Sequence, residues 1–223
     1  MNDYQRTLQT SLRLLLLVHA FGEKIASNDD PQLKAVDRIL VGSKLLTKLD
    51  FLFSNPDYLA LDLLQWVRLD DSVSAQKRRD IQVFVQQVFE DKEPQLPLDL
   101  YERYHYGPFF KFDPALEILA THGLLMTKSE RSVRGKKTKT EYRLLKNGKK
   151  MVQKYLMPDE ELAWYTQRLQ ILKKYYQGMN GESLTQRLYR HCNIPDLKHG
   201  IDMPNCSERV QELFQDTYQA ALI

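Results

Sequence analysis

Four side chains near the C-terminus, His191, Cys192, His199 and Cys206, carry the donor atoms for one zinc ion. Two of them are adjacent in sequence, which is awkward on a single tetrahedron, and the paired Cys-x2-4-Cys spacing of structural zinc sites is missing. The spacing therefore speaks against a metal centre. The nearest approach to a phosphate-binding loop is Gly135-Lys136-Lys137-Thr138, but Glu130 stands where the first glycine belongs and Lys137 where a hydroxyl is needed to hold magnesium. There is no Gly-x-Ser-x-Gly elbow and no His-Glu-x-x-His pair, and neither cysteine sits in the context of a nucleophile. Asp29-Asp30 and Asp70-Asp71 read as exposed turn acids. The sequence assigns no catalytic residue, no metal and no cofactor. It leaves open a divergent nuclease, whose carboxylates need not be neighbours along the chain.

Charge carries more information than any motif. Between Lys128 and Lys154 eleven Lys and Arg residues stand against Glu130 and Glu141, so this stretch is +9 in a chain whose total is only +3. Such local asymmetry points to a polyanionic or acidic partner. We take Lys128, Arg131, Arg134, Lys136, Lys137, Lys139, Lys149 and Lys150 as candidate nucleic-acid contacts. The loop around Gly135 contains no aromatic residue, which argues against base stacking on a single strand. The aromatic run Arg103-Tyr104-His105-Tyr106-Gly107-Pro108-Phe109-Phe110 is read instead as a sharp Gly-Pro turn pinned into the core by Tyr104, Phe109 and Phe110.

The elements that must position these residues are mostly helical. Leu8, Leu12, Leu15, Leu16 and His19 recur at helical spacing and predict a helix over 4–25. Its further apolar residues widen the stripe, so Leu12, Leu14, Leu15, Leu17 and Val18 are assigned either to deep burial or to a partner interface. Asp30-Pro31 predicts a helix start, and Val36, Ile39, Leu40, Leu46, Leu49 and Phe53 continue that helix to Asn55-Pro56. Helices are expected over 57–67 and 74–90, then a linker at Lys92-Glu93-Pro94-Gln95-Leu96-Pro97. Beyond it come a helix from Asp113-Pro114 to His122-Gly123, strands at 124–127 and 140–144 around the basic loop, and a helix carrying Met151, Val152 and Tyr155. Helix, strand, loop, strand, helix is the order of a winged helix. Pro158-Asp159-Glu160-Glu161 predicts a helix running to Gly178, with two shorter ones at 184–191 and 207–221. The expected architecture is mainly α with a small β wing: a helical lobe at 1–92, a winged-helix-like module at 98–156 and a helical segment at 157–223.

The apolar run Leu12 to Val18 is broken by Arg13, short of the ~20 residues a bilayer span requires. There is no basic stretch leading to a small-residue cleavage site, and two cysteines suit a reducing compartment. A cytoplasmic location is the expectation.

Three stretches resemble a known family. Val41-Gly42-Ser43-Lys44-Leu45-Leu46-Thr47-Lys48-Leu49-Asp50-Phe51-Leu52, then Tyr104-His105-Tyr106-Gly107-Pro108-Phe109, then Leu116 to Leu125 with Tyr142-Arg143-Leu144-Leu145-Lys146-Asn147-Gly148, are similar to the middle component of bacterial ABC-three-component systems. The Lamassu-type antiviral and plasmid defence systems belong to that group. The resemblance spans roughly residues 36 to 156. It implies a non-catalytic adaptor subunit bridging an SMC-like ATPase and an effector nuclease, with double-stranded DNA reached through the complex. A stand-alone winged-helix regulator or antitoxin is the alternative. On either reading the purified chain should release no phosphate from ATP and leave plasmid DNA intact in magnesium or manganese. Metal-dependent cleavage abolished by one Asp or Glu substitution would establish the nuclease alternative.

Overall fold

The computed structural model describes residues 3–25, 33–90, 101–104, 107–131, 137–194, 200, 202–220 and 222. In chain order the elements are α1 (Asp3–Phe21), β1 (Glu23–Lys24), β2 (Val36–Val41), α2 (Ser43–Ser54), α3 (Pro56–Leu69), α4 (Ala75–Glu90), β3 (Glu102–Tyr104) and β4 (Gly107–Phe109). There follow α5 (Asp113–Thr121), β5 (Leu125–Arg131), β6 (Lys137–Leu145), α6 (Lys146–Met151) continued by a π-helical turn at Val152–Leu156, α7 (Ala163–Tyr176), α8 (Gly181–Cys192) and α9 (Ser207–Tyr218). The chain is mostly helical with a small antiparallel sheet. Among the described residues no helix is long and apolar enough to cross a membrane.

The chain divides into two compact units, Met1–Phe53 with Phe110–Leu184 and Ser54–Phe109 with Thr185–Ile223. This differs from the sequential division at 92, 98 and 157, and the linker at 92–97 lies outside the described residues. The cause is a strand in place of the expected helix. Val36–Val41 pairs antiparallel with β6, Leu40 opposite Tyr142 and Val41 opposite Glu141. Its β-branched Val36, Ile39 and Val41 suit a pleated surface as well as they suit a helical stripe, and the partner strand decides. Gly42 then ends the strand at φ +102°, a conformation side chains rarely adopt, with its N–H donated to the Thr140 carbonyl at 2.9 Å. The expected start at Asp30-Pro31 lies outside the described residues.

In the first unit the sheet runs β1-β2-β6-β5. Leu40, Leu125, Tyr142 and Leu144 are buried, while Val41 and Met126 are exposed. Helix α1 packs against α5 and α7 and against strands β2 and β6. A helix covered on so many sides needs apolar residues around most of its circumference. Leu14, Leu15, Leu17 and Val18 are accordingly buried inside this unit and form core rather than a partner interface, while Leu12 is half-buried. The helix ends at Phe21, four residues early, because Glu23 and Lys24 pair with Ile39 and Arg38. Arg13, which breaks the apolar run, is fully buried. Its Nε donates to Asp50 Oδ1 of α2 at 2.9 Å and its Nη2 to Asp50 Oδ2 at 3.3 Å. Gly148 lets α6 lie close to the chain entering β5, since a Cβ there would stand 2.2 Å from the Leu124 carbonyl oxygen. Helix α7 begins at Ala163, five residues after Pro158, because the Asp159 carboxylate accepts the Glu161 N–H at 2.9 Å and closes a separate turn.

In the second unit α3 packs on α4 and α9. Leu59, Leu61, Leu63, Leu64, Ile81, Val85, Val210 and Phe214 fill its interior. The Arg78 guanidinium donates to the carbonyls of Val67, Asp70 and Val73 and ties down the α3–α4 turn. Gly107 and Pro108 lie in strand β4 rather than at a turn, Gly107 opposite Tyr104 and Pro108 opposite Arg103. His105 and Tyr106 are outside the described residues.

The buried Arg13–Asp50 pair generates a stability test. Asp50→Ala leaves a guanidinium without its carboxylate in a dry core, and should cost about 3–5 kcal/mol in denaturant titration. A loss below about 1 kcal/mol would show that the pair is not desolvated in solution.

Candidate nucleic-acid interface

The β5–β6 hairpin carries the candidate contacts. Leu125 faces Leu144, Lys128 faces Glu141 and Glu130 faces Lys139, with an irregularity between Glu130 and Arg131. Because strand residues alternate sides, Tyr142 and Leu144 point to the core while Lys139, Glu141 and Arg143 share the opposite face with Met126 and Lys128. Glu141 sits between two cations: Lys139 Nζ is 2.8 Å from Oε1 and Arg143 Nη2 is 2.8 Å from Oε2. Hydrogen bonds from Lys139 and Arg143 hold its carboxyl below the usual range, and the bond to Glu141 raises Lys139. This face is an ion ladder with part of its positive charge already balanced.

Of the eight candidates, Lys128, Lys139, Lys149 and Lys150 have described side chains. Lys128 and Lys150 are exposed, and Lys139 is 43% exposed despite its bond to Glu141. Arg134 and Lys136 lie outside the described residues, and of Arg131 and Lys137 only the backbone is described. Lys149 is half-buried on α6 with Nζ 2.7 Å from Asp37 Oδ1 of β2, which makes it a structural tie as much as a free cation. Burial pushes the Asp37 carboxyl up, but the Lys149 hydrogen bond and the charges of Lys149 and Arg38 outweigh it and hold it below the usual range.

Beside this tie lies His19 of α1, which serves in the sequence only as a spacing mark. Burial lowers its pKa to about 4, helped by the charges of Arg38, Lys173 and Lys149 and opposed by Asp37. Its Nε2 is buried without a hydrogen-bond partner.

The second unit contains a His–Asp pair that no motif announced. Asp62 of α3 is fully buried; its Oδ1 is 2.8 Å from His191 Nδ1 and its Oδ2 is 2.7 Å from Arg187 Nη2. Burial would raise the Asp62 carboxyl, and the Arg187 charge and the His191 hydrogen bond overcome it. Arg187 also stacks over Trp66 at 5.2 Å. The i, i+4 spacing of Arg187 and His191 was the signal available, but nothing local pairs it with Asp62. Cys206 Sγ donates to Asp57 Oδ2 at 3.3 Å. Burial raises both thiols, with Asp57 adding to the rise at Cys206 and Asp62 at Cys192, so neither is a thiolate at neutral pH. His199 is outside the described residues. Asp62, Arg187 and His191 form one ion-paired cluster inside the unit.

Comparison with protein-family models, with curated proteins and with solved structures finds no match to this chain.

His19 makes a pH prediction. Unfolded, it takes up a proton near pH 6.5, and folded only near pH 4, so between these values the unfolded chain binds more protons. Stability from this group is complete above the higher value and falls as pH drops through the window. His19→Gln should flatten the pH dependence of the denaturant midpoint there, and an unchanged slope would place the imidazole in contact with water.

Proposed function

We propose that this chain is a non-catalytic adaptor subunit of a DNA-sensing defence complex, and that its first unit is a winged-helix module whose basic hairpin rests on DNA phosphates. One observation carries the reading. In the first unit the order α1, β2, α2, α5, β5, β6, with sheet order β2-β6-β5, agrees with the order expected of a winged helix, with residues 54–109 falling between α2 and α5. In that arrangement β5 and β6 flank the wing, and Lys128 and Lys139 are the exposed cations nearest to it among the described side chains. Lys and Arg so placed supply affinity by displacing counterions from phosphates, without reading sequence. The SMC-like ATPase and effector nuclease rest on the family resemblance, and the burial of Leu14, Leu15, Leu17 and Val18 favours a partner surface away from these four side chains. The pairing of the buried Asp62 with both Arg187 and His191 supports the non-catalytic reading over a nuclease.

The test is neutralisation of the hairpin. Replacing Lys128, Arg131, Arg134, Lys136, Lys137 and Lys139 together by glutamine should weaken duplex DNA binding for all sequences alike. It should flatten the log–log salt dependence by about 0.9 for each phosphate that is no longer neutralised. Among the described side chains only the part-exposed Lys139–Glu141 pair is lost, which should cost no more than about 1 kcal/mol. Unchanged affinity and slope, with loss of association to a co-expressed ATPase, would make the hairpin a protein-docking surface.

A further inference from the structure

Helix α6 and the π-helical turn that continues it run from Lys146 to Leu156, directly from the end of β6. Every exposed residue from Lys146 to Tyr155 carries a hydrogen-bond donor: Lys146, Asn147, Lys150, Gln153, Lys154 and Tyr155. Lys, Asn, Gln and Tyr are among the side chains that donate to phosphate oxygens. No Asp or Glu occurs between Glu141 and Asp159, so nothing along the helix itself balances its charge. Lys139 and Arg143 bond to Glu141 and Lys149 to Asp37, whereas among the described residues no carboxylate forms an ion pair with Lys146, Lys150 or Lys154. These three lysines recur every four residues, about 6 Å of rise per step, and form a row on one side of the helix. Like charges at that spacing repel and weaken a helix. A surface helix that serves only solubility mixes both signs, and a facing line of anions is what would offset this row.

The π turn extends the same face. The Met157 N–H donates to the Val152 carbonyl, five residues back, at 2.9 Å. On a regular α-helix Tyr155 would follow Met151 toward the side of the buried Gly148 and Val152. In the wider turn the half-buried Leu156 continues that inner side, and Tyr155 stays 53% exposed with Lys154 Nζ 5.2 Å from its ring. π-helical turns within helices are frequent at functional sites. One exposed ring is no platform for successive bases, which sets single strands aside, and a row of cations fits the regular phosphates of a duplex.

We infer that the exposed face of α6 and its π turn is a second DNA-binding surface, on which Lys146, Lys150 and Lys154 neutralise phosphates of a duplex while Asn147, Gln153 and Tyr155 donate hydrogen bonds beside them. The inference takes its ligand, duplex DNA, from the reading above and is independent of the hairpin. Contacts made to phosphates carry no sequence information, so the surface holds any duplex alike. Lys149 lies in the same run but serves the fold through Asp37.

The experiment measures binding of the full chain to a mixed-sequence DNA duplex by fluorescence anisotropy over a range of salt concentrations. Replacing Lys146, Lys150 and Lys154 together by glutamine should weaken binding and flatten the log–log slope by about 0.9 for each lysine, roughly 2.7 in all. Gln153→Lys adds a cation to the same face and should steepen the slope by about 0.9, which decides the matter if the triple variant does not fold. Slopes unchanged in both variants overturn the inference. Should the hairpin-neutralised chain then lose affinity, the hairpin reading stands without this surface. Unchanged slopes with loss of association to a co-expressed ATPase would make the face a dock for an acidic protein, which also overturns it. Affinity that depends on the three helix lysines and survives neutralisation of the hairpin overturns the hairpin reading and leaves this surface as the DNA site. A parent chain that binds no duplex overturns both.

Discussion

The antiparallel pairing of β2 with β6 joins residues about a hundred positions apart and fixes the rest of the first unit. Once Leu40 stands opposite Tyr142, β2 becomes an interior strand of the sheet and, with β6, packs against α1. The Gly42 N–H bond to Thr140 then sets where α2 begins. Because a strand register cannot slip by one residue without turning its core face to water, the same pairing decides which side chains of β6 are buried and which face outward. Lys139, Glu141 and Arg143 face outward as a result of that register and not of any local preference.

Two buried carboxylates, Asp50 and Asp62, each hold a guanidinium from another helix. Arg13 and Asp50 are both fully buried, and the fully buried Asp62 pairs with Arg187, 14% exposed, and with the buried His191. Isolated charges would be prohibitively costly there, and the paired geometry makes them tolerable while tying helices distant in sequence. Asp50 joins α2 to α1, and Asp62 joins α3 to α8. The same physics separates the candidate cations. Lys149 is bound to Asp37 and acts within the fold, whereas Lys128 and Lys150 remain exposed to solvent.

Composition and short-range pattern are enough to reveal a good part of this molecule. The helices at 56–69, 75–90, 113–121, 181–192 and 207–218 are legible from periodicity, prolines and capping residues, and the basic hairpin from two β-patterned runs around a glycine. The concentration of charge at 128–154 is a matter of counting. Long-range packing settles what local pattern leaves open. Val36–Val41 satisfies a helical spacing and a strand spacing equally, and the choice depends on a partner strand that no local window contains. The breadth of apolar surface on α1 is compatible with a core helix or a docking helix, and its neighbours α5, α7 and the sheet make it core. The pairing of Arg13 with Asp50 and of His191 with Asp62, and the tying of Lys149 to Asp37, join residues 37 to 129 positions apart. Their energies depend on burial, which is a property of the folded chain and not of the residues that carry the charge.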